Sequence, residues 1–427
     1  MKLSKIVIKN FRCFENIDID FHSQMNVFVG INGVGKTAVL DAIATTLDYY
    51  LSGIGMKSIE FSKENIRIVC SEIGNTIDRQ PQFPVELEFF GVIDNKENHW
   101  KRSWNRKSSG GLNATNKSDS KIDVIEDVKV GSTERSLPLI AYYGVDRVKW
   151  IQEKKESDLE ITNRFFGYKN CLNLKYNDNQ MISWFKKMTL QALQDEVEIP
   201  ELNAVATAMK KCIEGIMQTA KNIEVRYGAK SSSLEISYTD EEGNRQNQPF
   251  SELSDGYRKT LSLVADIAYR MAVLNPQLFG NVIDETSGVV LIDEIDLHLH
   301  PSWQKRVLQD LMTIFPKVQF IVTTHSPSVI QSVKHGYLLI LDGNKVYRQS
   351  QQEVYGRDFS SILNDIMATD ERPEEIKNMF NEIYKLISNE NWEKAIEKTD
   401  ELKDILGDDD PDLTGISVTL DLRTLEV

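Results

Sequence analysis

The first residues, MKLSKIVIKNFRCF from Met1 to Phe14, alternate apolar with polar positions, the period-two pattern of a half-buried strand. They lack the uninterrupted apolar core of a secretory signal, so a strand of the mature fold is expected. Residues 26–49, NVFVGINGVGKTAVLDAIATTLDY, pass from a short apolar strand through a glycine-rich turn into a helix with Val39, Leu40, Ile43 and Leu47 on one stripe. Two β-rich segments, Phe83 to Ile93 and His99 to Arg106, flank the turn-forming DNKEN. The run that follows, SSGGLNATNKSDS, is polar and of low complexity, and reads as a mobile loop with no means of packing. LPLIAYYG, Leu137 to Gly144, resumes an apolar strand, and helical periodicity from about 180 to 222, carried by Met181, Trp184, Phe185 and Met188, predicts a helical insert between two αβ halves.

After the insert, LEISYTDEEGNRQNQPF predicts a hairpin around Glu242 and Gly243, and GVVLIDEIDL and VQFIVTTHS predict two buried strands separated by a helix. From Arg372 to Leu406 two amphipathic helices are expected, one carrying Ile376, Phe380, Ile383 and Ile387, the other Trp392, Ile396 and Leu402. Their apolar stripes need cover, either from the chain's own body or from a docked partner or second copy. The acidic DDDPD, Asp408 to Asp412, reads as a solvated turn.

Hydrophobic content of 41% with 27% charged residues is that of a soluble globular protein, and no apolar run approaches the ~20 residues of a membrane span. A cytoplasmic protein that does not span the membrane is expected. Cys13, Cys70, Cys171 and Cys212 are scattered and form no C-x-x-C pair, so buried thiols are expected in place of a disulfide framework or zinc ribbon. A net charge of −14 excludes a surface that is basic throughout and with it indiscriminate wrapping of nucleic acid. The most basic stretch is WKRSWNRK, where alternation puts Trp100, Arg102, Trp104 and Arg106 on one side of a strand, either a solvated hairpin face or a local nucleic-acid contact.

Chemistry concentrates in four segments. GINGVGKT, Gly30 to Thr37, fits the phosphate-binding pattern G-x-x-x-x-G-K-T and sits between a strand and a helix, as that loop requires. Its glycines free backbone N–H groups to wrap phosphates, Lys36 supplies a point charge, and Thr37 offers a hydroxyl to Mg²⁺. VVLIDEIDLHLHP, Val289 to Pro301, ends an apolar strand in two acids: Asp293 is placed to hold Mg²⁺, Glu294 to polarise the attacking water, and strand alternation is expected to point them opposite ways. His298 and His300 form an H-x-H pair with no further Cys or His nearby, which favours a loop between subunits over a metal site. His325 closes the strand IVTTHSP, where it can donate to a γ-phosphate. SELSDGYRKT, finally, puts Ser254 two residues before Gly256 at a helix start, a second place built to hold an anion.

Together these segments resemble the ABC-class ATPases of the SMC and RecF-like type over most of the chain. GINGVGKT is similar to their Walker A loop with its internal Asn32, LSDGYR to the signature motif, VVLIDE to Walker B, DLHLHP from Asp296 to the D-loop, and His325 to the switch histidine. The resemblance implies an α/β fold: an ABC-type P-loop head with a mixed sheet, an antiparallel β subdomain, a helical insert and a helical C-terminal tail. The expected boundaries are 1–170, 171–228, 229–350 and 351–427. It also implies ATP and Mg²⁺ as ligands, with Gly30, Asn32, Gly33, Val34, Gly35, Lys36, Thr37 and Asp296 around the nucleotide and Thr37 and Asp293 on the metal. Glu294 and His325 would act in hydrolysis. Ser254 and Gly256 would grip the γ-phosphate held by a second subunit, so a homo-oligomer joined head to head is expected. Asp255 replaces the usual first glycine of the signature and would put a carboxylate near that phosphate, and AYYGVDR, where such heads change lobe, supplies no Q-loop glutamine.

More narrowly, YYGVDR, GYKNCLN, LSDGYRKTLSLVADIA, LIDEIDLHLHPSWQ, FIVTTHSP and YGRDFSSIL followed by ERPEEI resemble the ATPase subunits of the Septu anti-phage system, the PtuA family, including versions attached to retrons. This likeness implies a nucleotide-gated sensor for a separate HNH nuclease, with DNA or a retron reverse transcriptase and its DNA–RNA product as further candidate partners. The chain carries no HNH cluster of its own, so it is not expected to be the nuclease. The alternative is a RecF-like repair or recombination ATPase that binds DNA directly; a transporter ATPase is disfavoured by the HLHP loop and the missing glutamine.

Overall fold

The computed structural model describes the chain except for residues 57–58, 60, 108–110, 119–134, 146–162, 173–178, 229–230, 232, 350–353, 368–371, 408 and 426–427. Its first unit, Met1–Ile362, is organised by apolar runs too short for helices and too uniformly apolar for a half-solvated sheet. They are β3 (Met25–Val29), β9 (Leu139–Tyr143), β13 (Gly288–Ile292) and β14 (Val318–Thr323), buried at every position. With β15 (Tyr337–Asp342) and β16 (Lys345–Gln349) they form a sheet of order β16-β15-β3-β14-β13-β9, parallel except for the β15–β16 pair. Parallel strands need helices over both faces, which explains the lack of alternation.

An antiparallel sheet of order β2-β1-β6-β7-β8 contains β1 (Lys2–Phe11), β2 (Phe14–Asp20), β6 (Val85–Ile93), β7 (Lys96–Arg106) and β8 (Leu112–Ser118), while β4 (Ile68–Ile73) and β5 (Thr76–Pro81) pair as a separate hairpin. Asp94 and Asn95 make the β6–β7 turn, both at positive φ, the geometry a two-residue hairpin loop needs to follow strand twist. Helix α1 (Lys36–Gly53) touches both sheets, contacting β13 and β14 of the first and β1 and β6 of the second.

That position of α1 decides the role of the basic strand. Trp100 stacks on Phe89 with ring centres 3.7 Å apart and donates its indole N–H to the Thr46 carbonyl. Arg102 donates to Asp48 at 2.9 Å and to the Thr45 carbonyl at 2.5 Å, and Trp104 stacks on Phe61. Trp100, Arg102 and Trp104 are buried. The expected solvated or nucleic-acid face is therefore the wall of a core. Other expectations change for similar reasons. Leu112–Ser118, expected to be a loop, pairs along β7 from Arg106 to Trp100 as the sheet's edge strand. Cys13 and Cys70 are exposed, whereas Cys171 and Cys212 are buried. The insert holds two helices, α2 (Asn179–Asp195) and α3 (Pro200–Ile216), but 221–228 is already β10, which pairs with β11 (Ser233–Thr239) and, beyond it, β12 (Arg245–Pro249).

Next come α4 (Asp255–Leu274), α5 (Pro301–Gln304) and α6 (Val307–Ile314). The second unit, Leu363–Val427, carries α7 (Glu374–Ser388), α8 (Trp392–Leu406) and α9 (Pro411–Leu425), one helix more than expected. Phe380, Ile383, Ala395, Leu402, Leu413, Ile416 and Leu420 form its core. The stripes thus find cover within the unit itself, apart from Ile396, which is exposed. Nor is DDDPD simply a solvated turn: Asp410 accepts from both terminal nitrogens of Arg372 at 3.0 Å and from the Asp412 and Leu413 amides at the start of α9. Among the described residues no helix is long and apolar enough to cross a membrane.

Replacing Arg102 by Ala leaves Asp48 buried without its cation, and a lone buried charge costs about 3–5 kcal/mol. Urea unfolding of Arg102→Ala should show a loss of that order. A loss under about 0.5 kcal/mol, the range of surface positions, would put the strand face back in solvent.

Candidate functional site

Strand β3 stops at Val29, and Gly30 to Gly35 turn straight into α1. Two of the glycines are required by their surroundings: a Cβ on Gly30 would lie 2.8 Å from the Leu341 carbonyl oxygen, and one on Gly35 would lie 2.5 Å from Cys13 Sγ and 2.7 Å from the Phe14 ring. Both also have positive φ. Asn32 and Gly33 are exposed at the loop tip, and Val34 lies between them and Gly35. No side chain caps α1 and no acid occupies its first turn, so its free amides and positive dipole end are open to an anion. Lys36 is buried, its ammonium donating to the Gly30 carbonyl at 2.8 Å and the Ile31 carbonyl at 3.1 Å. Burial lowers its pKa, while the charges of Asp293, Glu294 and Asp296 oppose that shift.

Those carboxylates arrive from the end of β13. Asp293 accepts from Thr37 Oγ1 at 2.9 Å on one oxygen and from Thr323 Oγ1 at 2.6 Å on the other, while its own amide donates to the Tyr143 carbonyl at 2.8 Å. Strand order β3-β14-β13-β9 makes this possible, since Thr323 ends β14 and Tyr143 ends β9. Strand alternation, expected to set Glu294 opposite Asp293, does not apply here. Strand β13 has ended, Glu294 has φ +48°, and its amide donates to Thr323 Oγ1 at 2.7 Å. Asp296 accepts from Thr324 Oγ1 at 2.5 Å and from the His325 amide at 3.4 Å. Burial, followed by the charge of Lys36, holds His325 below its ordinary value and favours the neutral ring, which has one N–H to donate.

The segments Gly30–Thr37, Asp293–Asp296 and His325 therefore meet around Lys36 and Thr37. The donor set suits a nucleotide and its cation. Open amides and an ammonium meet phosphate, and the Thr37 hydroxyl and Asp293 carboxylate are hard oxygens of the kind Mg²⁺ takes. Thr323 escaped the sequence reading, because a threonine ending an apolar strand carries no signal until its neighbour is known. So did the ion pair of Arg12 with Asp41 at 2.5 Å, to which Tyr142 adds a hydroxyl donor at 2.9 Å.

Ser254 stands apart from this group. It is the exposed N-cap of α4, its side chain makes no capping bond, and among the described residues no hydrogen bond joins it to the Lys36 loop. A Cβ on Gly256 would lie 2.6 Å from the His298 carbonyl oxygen, so the helix start rests against the segment that follows Asp296. The Asp255 carboxylate, expected to approach a phosphate, is held by Arg258 at 2.6 Å along its own helix. His300 accepts from the Ser302 amide and caps α5. Asp146 and Arg147 of AYYGVDR, where a Q-loop glutamine is missing, lie outside the described residues.

Residues 5–217 match the family model described as AAA domain, and residues 146–331 match a model described as AAA domain, putative AbiEii toxin, Type IV TA system. The chain is 26% identical to the Retron Ec83 probable ATPase of Escherichia coli, over 100% of this chain and 88% of that protein. It is 25% identical to the Septu protein PtuA of Bacillus thuringiensis, over 92% of this chain and 91% of the relative. Among solved structures, an SMC head bound to the C-terminal winged-helix domain of ScpA superposes with a TM-score of 0.50 at 18% identity, covering 83% of this chain and 99% of that one. The fold is that of an SMC-type head.

Lys36→Ala should weaken ATP–Mg²⁺ binding about 100-fold in calorimetry, the loss expected when charge-assisted hydrogen bonds worth about 3 kcal/mol disappear. Unchanged affinity in a folded variant would remove the loop from phosphate binding. Glu294→Gln keeps shape but cannot accept a proton, so it should bind ATP normally and hydrolyse it about 10²–10⁴-fold more slowly. Hydrolysis at the unaltered rate would assign the base elsewhere.

Proposed function

From the premise that the chain is an ATPase of the AAA and ABC class, related over most of its length to retron ATPases and to the Septu protein PtuA, we propose that it pairs head to head with a second copy to form shared ATP sites, and that their nucleotide state governs a separate HNH nuclease. The observation that carries the reading is the 2.9 Å contact of Thr37 with Asp293, which unites segments 256 residues apart at the end of a parallel sheet.

In this reading the amides of Gly30 to Gly35 and the Lys36 ammonium bind the phosphates. Thr37 and Asp293 would hold Mg²⁺, which neutralises phosphate charge when bound. Glu294 takes the proton of the attacking water, and neutral His325 donates towards the γ-phosphate. Ser254 and the open end of α4 serve the nucleotide of the other subunit, a role supported by their separation from the Lys36 loop and by the exposed, uncapped Ser254. The exposed Asp255 carboxylate is paired with Arg258, which offsets part of its repulsion of that phosphate. The competing reading, a RecF-like ATPase that grips DNA itself, draws nothing from the basic strand, whose Trp100, Arg102 and Trp104 are buried against α1.

Mixing two disabled chains tests the shared site. Ser254→Arg keeps its own phosphate loop but blocks closure, and Lys36→Ala keeps its signature. Each alone should be inactive, whereas an equimolar mixture should regain up to about a quarter to a half of the ATPase rate and of nuclease control, since one composite site per mixed pair is intact. No recovery in assemblies shown to be mixed by native mass would reject sharing, and tight duplex-DNA binding without a nuclease partner would favour the RecF-like reading.

A further inference from the structure

Helix α4 is fastened along its length by groups that the proposed nucleotide chemistry does not use. Asp266 and Arg270, one turn apart, are both buried, and Arg270 Nε donates to Asp266 Oδ2 at 2.6 Å. The Tyr143 hydroxyl donates to the same oxygen at 2.7 Å. Arg270 Nη1 donates to the carbonyls of Gly167 at 2.9 Å and Lys169 at 3.0 Å. A Cβ on Gly167 would lie 2.6 Å from Leu274 Cγ, so that segment lies flush on the helix. Burial and the neighbouring Asp266 hold the Tyr143 hydroxyl far above its ordinary pKa, so it remains a donor. A buried ion pair stabilises no better than well-packed apolar side chains of similar volume, so packing alone gives no reason for this one.

Tyr143 makes the arrangement informative. It ends β9, and its carbonyl is the acceptor for the Asp293 amide. At the other end of the path, Asp266 stands twelve residues along α4 from Ser254, about 18 Å at 1.5 Å per residue. A helix pinned by short, directional hydrogen bonds moves as a unit, and those bonds weaken steeply with distance and angle.

We propose that Tyr143, Asp266 and Arg270 form a positioning relay that ties the signature helix to β9, so that a displacement of Ser254 on meeting a second subunit's nucleotide reaches Asp293 of its own chain. The relay rests on the shared-site reading above. Tyr143 is buried. It acts through the backbone that holds Asp293.

Tyr143→Phe removes one hydroxyl and keeps the ring. Relative to the unaltered chain, ATP–Mg²⁺ affinity should stay within about twofold while kcat falls about tenfold, the split expected when a contact matters only on closure. The pair Asp266→Leu with Arg270→Met, which fills the site with apolar volume, should show the same split in a folded protein. Hydrogen exchange supplies a readout apart from turnover. With a non-hydrolysable ATP analogue, peptides covering 255–262 and 289–296 should both gain protection in the unaltered chain, and only the first should do so in Tyr143→Phe. Unchanged kcat, protection at 289–296 in the variant, or parallel loss of affinity, kcat and thermal stability would overturn the relay. An unaltered chain that hydrolyses no ATP would overturn the ATPase reading and the relay together, whereas the three results above leave that reading standing.

Discussion

Asp293 receives hydrogen bonds from Thr37 and Thr323 while its amide is held by Tyr143, and these contacts lock the ends of β9, β13 and β14 to the first turn of α1. A buried carboxylate is retained only where donors satisfy its oxygens, and here two threonine hydroxyls do so, one on each oxygen. Strand order matters more than any one residue here. Because β14 lies between β3 and β13, Thr323 can reach Asp293 and Glu294 alike, and the loop after β3 faces both.

Helix α1 extends the consequences of that arrangement to the rest of the first unit. Its first turn carries Lys36 and Thr37 at the site, and further along it accepts Trp100 and Arg102 from the antiparallel sheet. The helix that follows the Gly30–Gly35 loop is therefore wedged between two sheets. A rigid support of this kind lets an uncapped helix end remain open, since tertiary packing, with no help from capping, keeps its first turn formed.

Charge is distributed to match. Lys36 lies under its own loop among three carboxylates, with His325 kept towards its neutral form nearby. A phosphate entering this site would meet an ammonium already desolvated in part, where its interaction with an anion is less screened than in water. The second unit is built differently, on an apolar three-helix core whose opening is tied by Arg372 to Asp410.

The sequence by itself determined the local pieces: the apolar runs of β3, β13 and β14, the loop Gly30–Thr37 that must turn sharply before α1, and Asp293, Glu294, His325 and Ser254 at fixed offsets from them. These are legible because strand period, helix stripe and loop chemistry are properties of neighbours in the chain. Tertiary structure alone decided the rest. It turned Trp100, Arg102 and Trp104 inward, because α1 occupies the face that alternation had left unassigned. It set Glu294 by a left-handed turn just past its strand, and it made Thr323 and Tyr143 partners of Asp293. Side-chain period says which residues share a face, but what covers that face depends on strand order and helix placement, which distant parts of the chain settle together.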